Sequence, residues 1–421
     1  MTWPDSPLGG WLGDGRPASA TDRPETLDAL RQTVVERVEQ GHALYPQGGR
    51  TALDYGGIPR APGVAIDMRG LCRVIDYPAA DMTITVEAGI AMERLHAVLA
   101  EQRQRLNIDA PQADRATLGG VYATNASGPR RFGLGRPRDQ IIGVGFVTSD
   151  GSVVKGGGRV VKNVAGYDLP KLLTGSLGTL GILTHLTLKV RPIPEADALV
   201  WVSFPTLERL GQALDRLNTS ATRPVALELL NSSAARLIGE SLGFPPAPAP
   251  GAWVLVVGFE DNATSVSWQV DRLRDELGRP DLIVRNGDEA RPLWDRLTEF
   301  PAIEAGPVGV VANLLPSAVV SFVKNIDPER WAVQAHAGNG IVRAHAIDGR
   351  DWPALASEID GLRLDAVRVG GNLLVPRCPT EAKPRLRVWG EPRPDWALAE
   401  RVKRALDPKG VMNPGRFVGK I

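Results

Sequence analysis

Between residues 46 and 182 the chain carries three stretches in which glycine and other small residues follow one another almost without interruption. The first is Pro46-Gln47-Gly48-Gly49-Arg50-Thr51, the second runs from Ala116 through Gly119-Gly120 to Pro129, and the third joins Asn163–Asp168 to Gly175–Ile182. A backbone without Cβ atoms approaches its surroundings closely, so each stretch predicts either a crossing of two packed backbones or a wall against a flat or anionic ligand. At Gly48-Gly49 successive N–H groups can point into one concavity and hold phosphate oxygens, with Arg50 and Thr51 adding side-chain donors; the other reading is a tight strand-to-strand turn. The spacing is neither GxGxxG nor GxxxxGK[ST], so a Rossmann or P-loop fold has no support.

The chain has 421 residues, enough at roughly 150 residues per domain for two or three domains. Lysine and arginine number 49 against 48 aspartate and glutamate, which supplies no electrostatic reason to bind nucleic acid or an anionic membrane. The two cysteines, Cys72 and Cys378, lie far apart. They exclude a disulfide framework, a zinc ribbon and a cysteine-ligated iron–sulfur cluster in this chain. No basic stretch precedes an apolar run at the N-terminus and no segment approaches 18 uninterrupted apolar residues. The expectation is therefore a cytoplasmic protein without a transmembrane segment.

Residues 1–23, rich in Gly, Pro and Asp, read as a flexible leader. Leu27, Leu30, Val34, Val35 and Val38 recur at helical spacing between Pro24 and Gly41. Short strands are expected near 43–46, 63–68, 73–77 and 83–87, then a helix carrying Met92, Leu95, Val98 and Leu99. A hairpin with a two-residue turn at Asp150-Gly151 follows, and residues 181–190 alternate as a strand. The Pro-rich RPIPEA marks a boundary near 195. Beyond it, strands at 199–204, 225–230, 252–259 and 281–285 alternate with helices at 206–217, 232–240 and 263–277, which reads as a layered α+β domain. FPPAPAP at 244–250 reads as a surface loop, and no internal repeat is evident.

The succession PQGGRTAL, ATLGGVYATNASGP, RDQIIGVGFVTSDGSVV and NVAGYDLPKLLTGSLGTLGILT resembles the FAD-binding domain of the vanillyl-alcohol oxidase/PCMH flavoprotein superfamily. Asp407-Pro408-Lys409-Gly410-Val411-Met412-Asn413-Pro414-Gly415-Arg416 is similar to that family's closing motif. The resemblance implies an α+β protein: the leader, a two-part PCMH-type domain over 24–195, a ferredoxin-like α+β cap over 196–400, and a segment over 401–421 returning to the first domain. It places Pro46, Gly48, Gly49, Arg50 and Thr51 on the FAD pyrophosphate. It sets Pro111, Thr117, Leu118, Gly119, Gly120, Thr124, Asn125 and Gly128 along the cofactor. Gly178, Leu180, Gly181 and Ile182 fall near its adenine half, and Asn413 near the isoalloxazine. Some relatives attach FAD through a histidine in the first glycine loop; Arg50 and Thr51 occupy those positions here, which implies noncovalent FAD.

Within the superfamily the sequence is most similar to the glycolate oxidase and D-2-hydroxyacid dehydrogenase branch. Its catalytic members carry a GHxGDGNLH-like segment and a later EHG that form a metal and substrate site. Here the matching segment is Ala335-His336-Ala337-Gly338-Asn339-Gly340-Ile341-Val342-Arg343, with arginine at the second histidine's place, no EHG, and Leu177 where glutamate is usual. A guanidinium has no lone pair to donate, so no metal site is expected. His345 is expected on the opposite strand face from His336, and His42, His96 and His185 have no recognisable ligand partner. These departures resemble the E subunit of glycolate oxidase, a noncovalent FAD-binding partner of a catalytic flavoprotein subunit and an iron–sulfur subunit. The activity so implied is oxidation of glycolate or another small 2-hydroxy acid, with Arg343 or Arg368 holding the carboxylate if this chain binds substrate itself; no catalytic base is assigned. A stand-alone 2-hydroxy-acid dehydrogenase and a non-catalytic FAD-stabilised scaffold are the alternatives. Partners would also supply any peripheral attachment to the inner membrane.

Overall fold

The structure, a computed structural model, describes residues 10–158, 166–239, 242, 248–347 and 352–421. Asn163–Ala165 of the third glycine stretch and part of the 244–250 loop lie outside the described residues. The protein separates into two compact units. One comprises Met1–Ala126, Arg136–Pro192 and Glu391–Ile421; the other comprises Ser127–Gly135 and Ile193–Gly390.

The first unit holds two larger sheets and two two-stranded pairs, Trp11–Gly13 with Arg16–Pro17 and Gln104–Arg105 with Arg191–Pro192. Strands β1 (Ala20–Asp22), β2 (Ala43–Gln47) and β3 (Gly63–Asp67) form a parallel sheet in the order β1-β3-β2. Helix α1 (Leu27–Glu39), N-capped by Thr26, buries Leu30, Val34 and Val38 against Leu44, Val64 and Ile66. At about 1.5–3 kcal/mol per fully buried aliphatic side chain, this stripe is what holds the helix to the sheet. Strands β4 (Val74–Asp76), β5 (Thr83–Glu87), β6 (Ile141–Val147), β7 (Val153–Gly157) and β8 (Ile182–Lys189) form an antiparallel sheet in the order β7-β6-β8-β5-β4. Helices α2 (Met92–Ala100) and α3 (Leu118–Thr124) share one core with it, through Leu95, Leu99, Leu118 and Val121 packed with Phe146 and Leu186. The β6–β7 hairpin forms where expected, with a longer turn: Gly151 takes φ +80°, and the Asp150 carboxylate accepts from Thr148 Oγ1 (2.6 Å) and Ser152 N (3.0 Å).

Residues 10–23 are not a loose leader. β1 pairs with β3, Leu12 is buried, Asp22 accepts two hydrogen bonds from Arg37 at 2.8 Å, and Asp14 is paired with Arg416. The Gly and Pro content marks turns between short strands. The segment Ser127–Gly135 groups with the second unit, where Gly133 N donates to Val225 O and Arg130 pairs with Glu260 at 2.6 Å while stacking on Trp294.

The second unit is built on one eight-stranded antiparallel sheet. Its first half is β9 (Ala196–Phe204), α4 (Leu207–Leu217), β10 (Ala226–Asn231), β11 (Trp253–Asp261), α5 (Ala263–Leu277) and β12 (Ile283–Asn286). Its second half is β13 (Gly309–Asn313), α6 (Val319–Val323), β14 (Trp331–His336), β15 (Ile341–Ala346), α7 (Trp352–Arg368) and β16 (Asn372–Arg377). The strand order, β12-β9-β11-β10-β14-β15-β13-β16, makes each half a βαββαβ unit in the ferredoxin-like order fourth-first-third-second. The two second strands, β10 and β14, pair antiparallel at the centre, as a local two-fold requires. This topological repeat is not evident in the sequence, because the order of elements recurs without matching residues. One face of the sheet packs against α4 to α7 through residues such as Leu210, Leu273, Phe322 and Ile359. On the other face, helix Arg291–Glu299 packs over the first half and helix Ser232–Gly239 over the central strands β10 and β14. Helix α8 (Trp396–Leu406) belongs to the first unit. Among the described residues no helix is long and apolar enough to cross a membrane.

Candidate functional site

The first unit contains an open cavity whose empty space, counted out into the solvent, is about 930 Å³. The end of β2 and the loop after it line it with Pro46, Gly48, Gly49, Arg50 and Thr51; helix α3 and its N-cap with Thr117, Gly119, Gly120 and Thr124; the turn into β8 with Gly178, Gly181 and Ile182; and the closing segment with Asn413. The structure does not bring Pro111, Leu118, Asn125, Gly128 or Leu180 to it. Leu118 and Leu180 are buried in the core, Asn125 is the left-handed residue that ends α3, Pro111 lies in the loop before it, and Gly128 groups with the second unit.

The glycines build the wall rather than clear it. A Cβ at Gly48 would fall on Thr117 Oγ1, one at Gly49 on the Arg115 carbonyl, and one at Gly119 would meet the Ala88 carbonyl at 2.9 Å. Only at Gly120 does the added atom meet nothing beyond Thr117 Oγ1, at 3.2 Å. The two glycine stretches therefore touch each other, the backbone-crossing reading, and their contact shapes a hollow. The first N–H groups of α3 are used internally: Leu118 N donates to Ile90 O, Gly119 N to Ala88 O and Gly120 N to Thr117 Oγ1. Among the described residues the N–H groups of Gly49 and Thr51 meet no protein acceptor. The β2 loop, not the helix end, offers the anion donors.

Three non-glycine residues on this cavity hold left-handed backbone angles: Arg50 (φ +60°), Leu177 (φ +52°) and Asn413 (φ +44°). Such angles persist only where the surroundings over-determine them. Arg50 Nε donates to Gln47 Oε1 at 2.9 Å, and burial together with the nearby Arg69 charge pushes its guanidinium below its usual pKa. Asn413 spends its amide on Leu177 O at 2.5 Å. Two residues were not singled out by the sequence. Arg416, at the end of the closing motif, is buried with Nη1 on Asp14 and Gly57 O (2.6 Å each) and Nη2 on Leu53 O. Lys403, four residues before Asp407 on α8, buries its ammonium on Asp407 Oδ2 (2.6 Å), Thr179 O (2.7 Å) and Met412 O (2.7 Å). Burial lowers its pKa, and Asp407 opposes that shift.

In the second unit a polar group sits where β10 meets β14. Glu228, directly across from His336, is fully buried and accepts from His336 Nδ1 at 2.6 Å and Gln334 Nε2 at 2.9 Å. Arg343 Nε donates to His336 Nε2 at 3.5 Å, and its Nη2 reaches Ser127 O at 3.3 Å. An arginine donor on Nε2 leaves the proton on Nδ1, facing the carboxylate. Glu228 was missed because its only signal was one carboxylate inside the apolar strand ALELLN. His345 was expected on the opposite face from His336. The register pairs it with Ala332, two residues from Gln334 and four from His336, so it shares their face. Its ring turns away to donate from Nε2 to Phe300 O at 2.8 Å, and burial, with the Arg377 charge, lowers its pKa to about 4. Arg368 is remote from this group: exposed and paired with Asp365, it ends α7, which packs on the other face. Among the described residues no three His, Cys, Asp or Glu side chains are grouped to hold a metal ion.

The profile of the FAD binding domain matches residues 18–157, and that of the C-terminal domain of FAD linked oxidases matches residues 193–347 and 390–417. The protein is 31% identical over 416 residues to D-2-hydroxyglutarate dehydrogenase of Xanthomonas citri pv. viticola, covering 94% of this chain and 88% of that one. It is 27% identical to a D-lactate dehydrogenase of Archaeoglobus fulgidus (91% and 87% covered) and 23% identical to glycolate oxidase subunit GlcD of Bacillus subtilis (94% and 88%). Among solved structures, an alkyldihydroxyacetonephosphate synthase superposes with a TM-score of 0.69 at 19% identity, covering 94% of this chain and 77% of the other. A glycine-walled cavity in a unit whose sequence matches the FAD binding domain, a second match to the C-terminal domain of FAD linked oxidases, and similarity over 94% of the chain to a D-2-hydroxyglutarate dehydrogenase leave one conclusion: the chain belongs to the FAD-linked oxidase family of PCMH/vanillyl-alcohol oxidase type, with FAD as its cofactor.

Proposed function

We propose that this protein is the noncovalent FAD-binding subunit of a glycolate oxidase-type complex, which oxidises glycolate or a related 2-hydroxy acid to the 2-oxo acid and passes the electrons to a partner subunit. The observation that carries this reading is the Arg343 guanidinium on His336 Nε2. It fills with a fixed cation the lone pair through which that histidine would bind a divalent ion, and so supports a cap that has left metal-dependent substrate activation to a second flavoprotein.

The cavity fits FAD. The Gly49 and Thr51 N–H groups and the Arg50 side chain would take the pyrophosphate, at about 1.5–3 kcal/mol for each hydrogen bond to a charged partner. Gly120, Thr124, Gly178, Gly181 and Ile182 would line the rest, with the Asn413 backbone held against them. Bound FAD supplies the acceptor for the hydride leaving the α-carbon of the hydroxy acid. Co-purification with a second flavoprotein and an iron–sulfur subunit belongs to this proposal, as does membrane attachment through them.

One observation favours the stand-alone dehydrogenase. The Glu228–His336 pair is an oriented carboxylate–imidazole couple whose Nε2 would accept a hydroxyl proton once a bound carboxylate drew the Arg343 guanidinium off it. The two readings are separated by supplying glycolate or D-lactate, together with an artificial dye, to the isolated FAD-loaded protein. Little or no dye reduction is expected, with no gain from added zinc or manganese. Rapid, chelator-sensitive reduction overturns the subunit reading. Flavin that stays oxidised in the assembled, turning-over complex points instead to a scaffold.

A further inference from the structure

The three stretches that line the cavity come from distant parts of the sequence, and the closing segment is where they are tied. Leu44, two residues before Pro46, exchanges hydrogen bonds with that segment: Leu44 N donates to Val411 O and Asn413 N to Leu44 O, each at 2.8 Å. The turn into β8 is held on one side by α3, with Leu177 N donating to Ala123 O at 2.9 Å. Its other side is held from α8 and the closing segment, by Lys403 Nζ on Thr179 O and Asn413 Nδ2 on Leu177 O. All three protons of the Lys403 ammonium are used, on the turn, on Met412 O and on Asp407, whose carboxylate also receives Met412 N at 2.8 Å. Lys403 is 7% exposed and does not line the cavity.

We infer that Lys403 is a positioning residue for FAD: with Asp407 it forms a latch that, through Thr179 O and Met412 O, holds Leu177, Gly178 and Asn413 in their left-handed, cavity-facing conformations, so that cofactor affinity is set from outside the cofactor's own contacts. The inference rests on the placement of FAD in this cavity. An ammonium suits the task because three tetrahedral donors can gather two backbone carbonyls and a carboxylate from separate segments, whereas no single backbone group can. The turn's other tie on that side, Asn413 Nδ2 on Leu177 O, comes from a segment that the latch itself anchors at Met412, so losing the latch loosens both ties and lets Gly178 and Leu177 relax out of the conformation the cavity requires.

The test measures FAD binding by apoprotein, through titration of flavin fluorescence and through the rise in Tm that FAD produces. Lys403→Met alone leaves Asp407 buried without its cation and risks misfolding, so the decisive variant is Lys403→Met/Asp407→Asn, which removes both charges. It should raise the FAD Kd at least tenfold and shrink the FAD-induced rise in Tm. Leu355→Ala, which opens a hole in the core of the other unit, should lower Tm while keeping the parent Kd. Gly120→Leu, which fills the cavity, should abolish binding. Parent-like Kd in the double variant, or an equal loss in Leu355→Ala, overturns the latch. Parent-like binding by Gly120→Leu overturns the placement of FAD, and the latch with it.

Discussion

Gly49 shows how little space a single residue commands here. Its absent Cβ is what allows the β2 loop to rest on the Arg115 carbonyl, so Gly49→Val pushes two backbones apart rather than blocking the ligand directly. The expected result is a soluble protein with a lowered Tm that purifies colourless, read from the ratio of absorbance at the flavin and protein bands; full flavin content would mean the contact is dispensable. His345 makes the opposite kind of prediction, about pH. Its folded pKa of about 4 lies below the ordinary value of 6.5, so as pH falls the unfolded state takes the proton first. Stability from this residue is complete above about pH 6.5 and is lost progressively down to about pH 4, by about 3 kcal/mol for the full shift. Urea denaturation across that window should therefore show a shallower pH dependence in His345→Phe than in the parent. Parallel profiles would show that the imidazole charges without cost.

Among the elements, the N-terminal strands carry more than their composition suggests. β1 closes the parallel sheet, and the residues just before it supply Asp14, whose carboxylate meets the buried Arg416 guanidinium at 2.6 Å beside the cavity. Breaking a buried pair from one side costs about 3–5 kcal/mol, because the remaining ion keeps its desolvation penalty. Asp14→Ala should lower the stability of the apoprotein by about that amount and weaken FAD retention, whereas Asp28→Ala, in an exposed pair on α1, should shift stability by less than about 1 kcal/mol. Equal effects of the two substitutions in chemical denaturation would return the segment to the status of a loose leader. The same logic explains why the Gly- and Pro-rich composition misleads: turns between two- and three-residue strands need those residues as much as a disordered tail does.

At the scale of the molecule, the first unit carries the glycine-walled cavity proposed for FAD and the second carries a duplicated sheet whose central junction is polar. Noncovalent FAD makes one prediction for the whole: denaturing the yellow holoprotein with acid should leave the flavin in the supernatant. Flavin that sediments with the polypeptide would contradict it, since the loop residues Arg50 and Thr51 carry no imidazole with which to make such a link. The cap's duplication also explains its polar centre. Strand pairing between two equivalent halves brings together Glu228 and His336, neither of which has a neighbour of its own kind along the sequence.

What the sequence determined by itself is whatever a residue encodes about its own backbone. Runs such as Gly48-Gly49 and Gly119-Gly120 announce close approach, the helical spacing from Leu27 to Val38 announces a buried stripe, and the order of four motifs identifies the family, because each of these is a local requirement written in adjacent residues. What only the tertiary structure decided are the pairings between segments far apart in sequence. Lys403 reaches Thr179 across 224 residues, Glu228 meets His336 across 108, and His345 shares the face of His336 because strand register, not sequence spacing, sets which way it points. Buried polar groups must be paired, but a sequence states only that a partner is needed; which one it is depends on where the sheets place them.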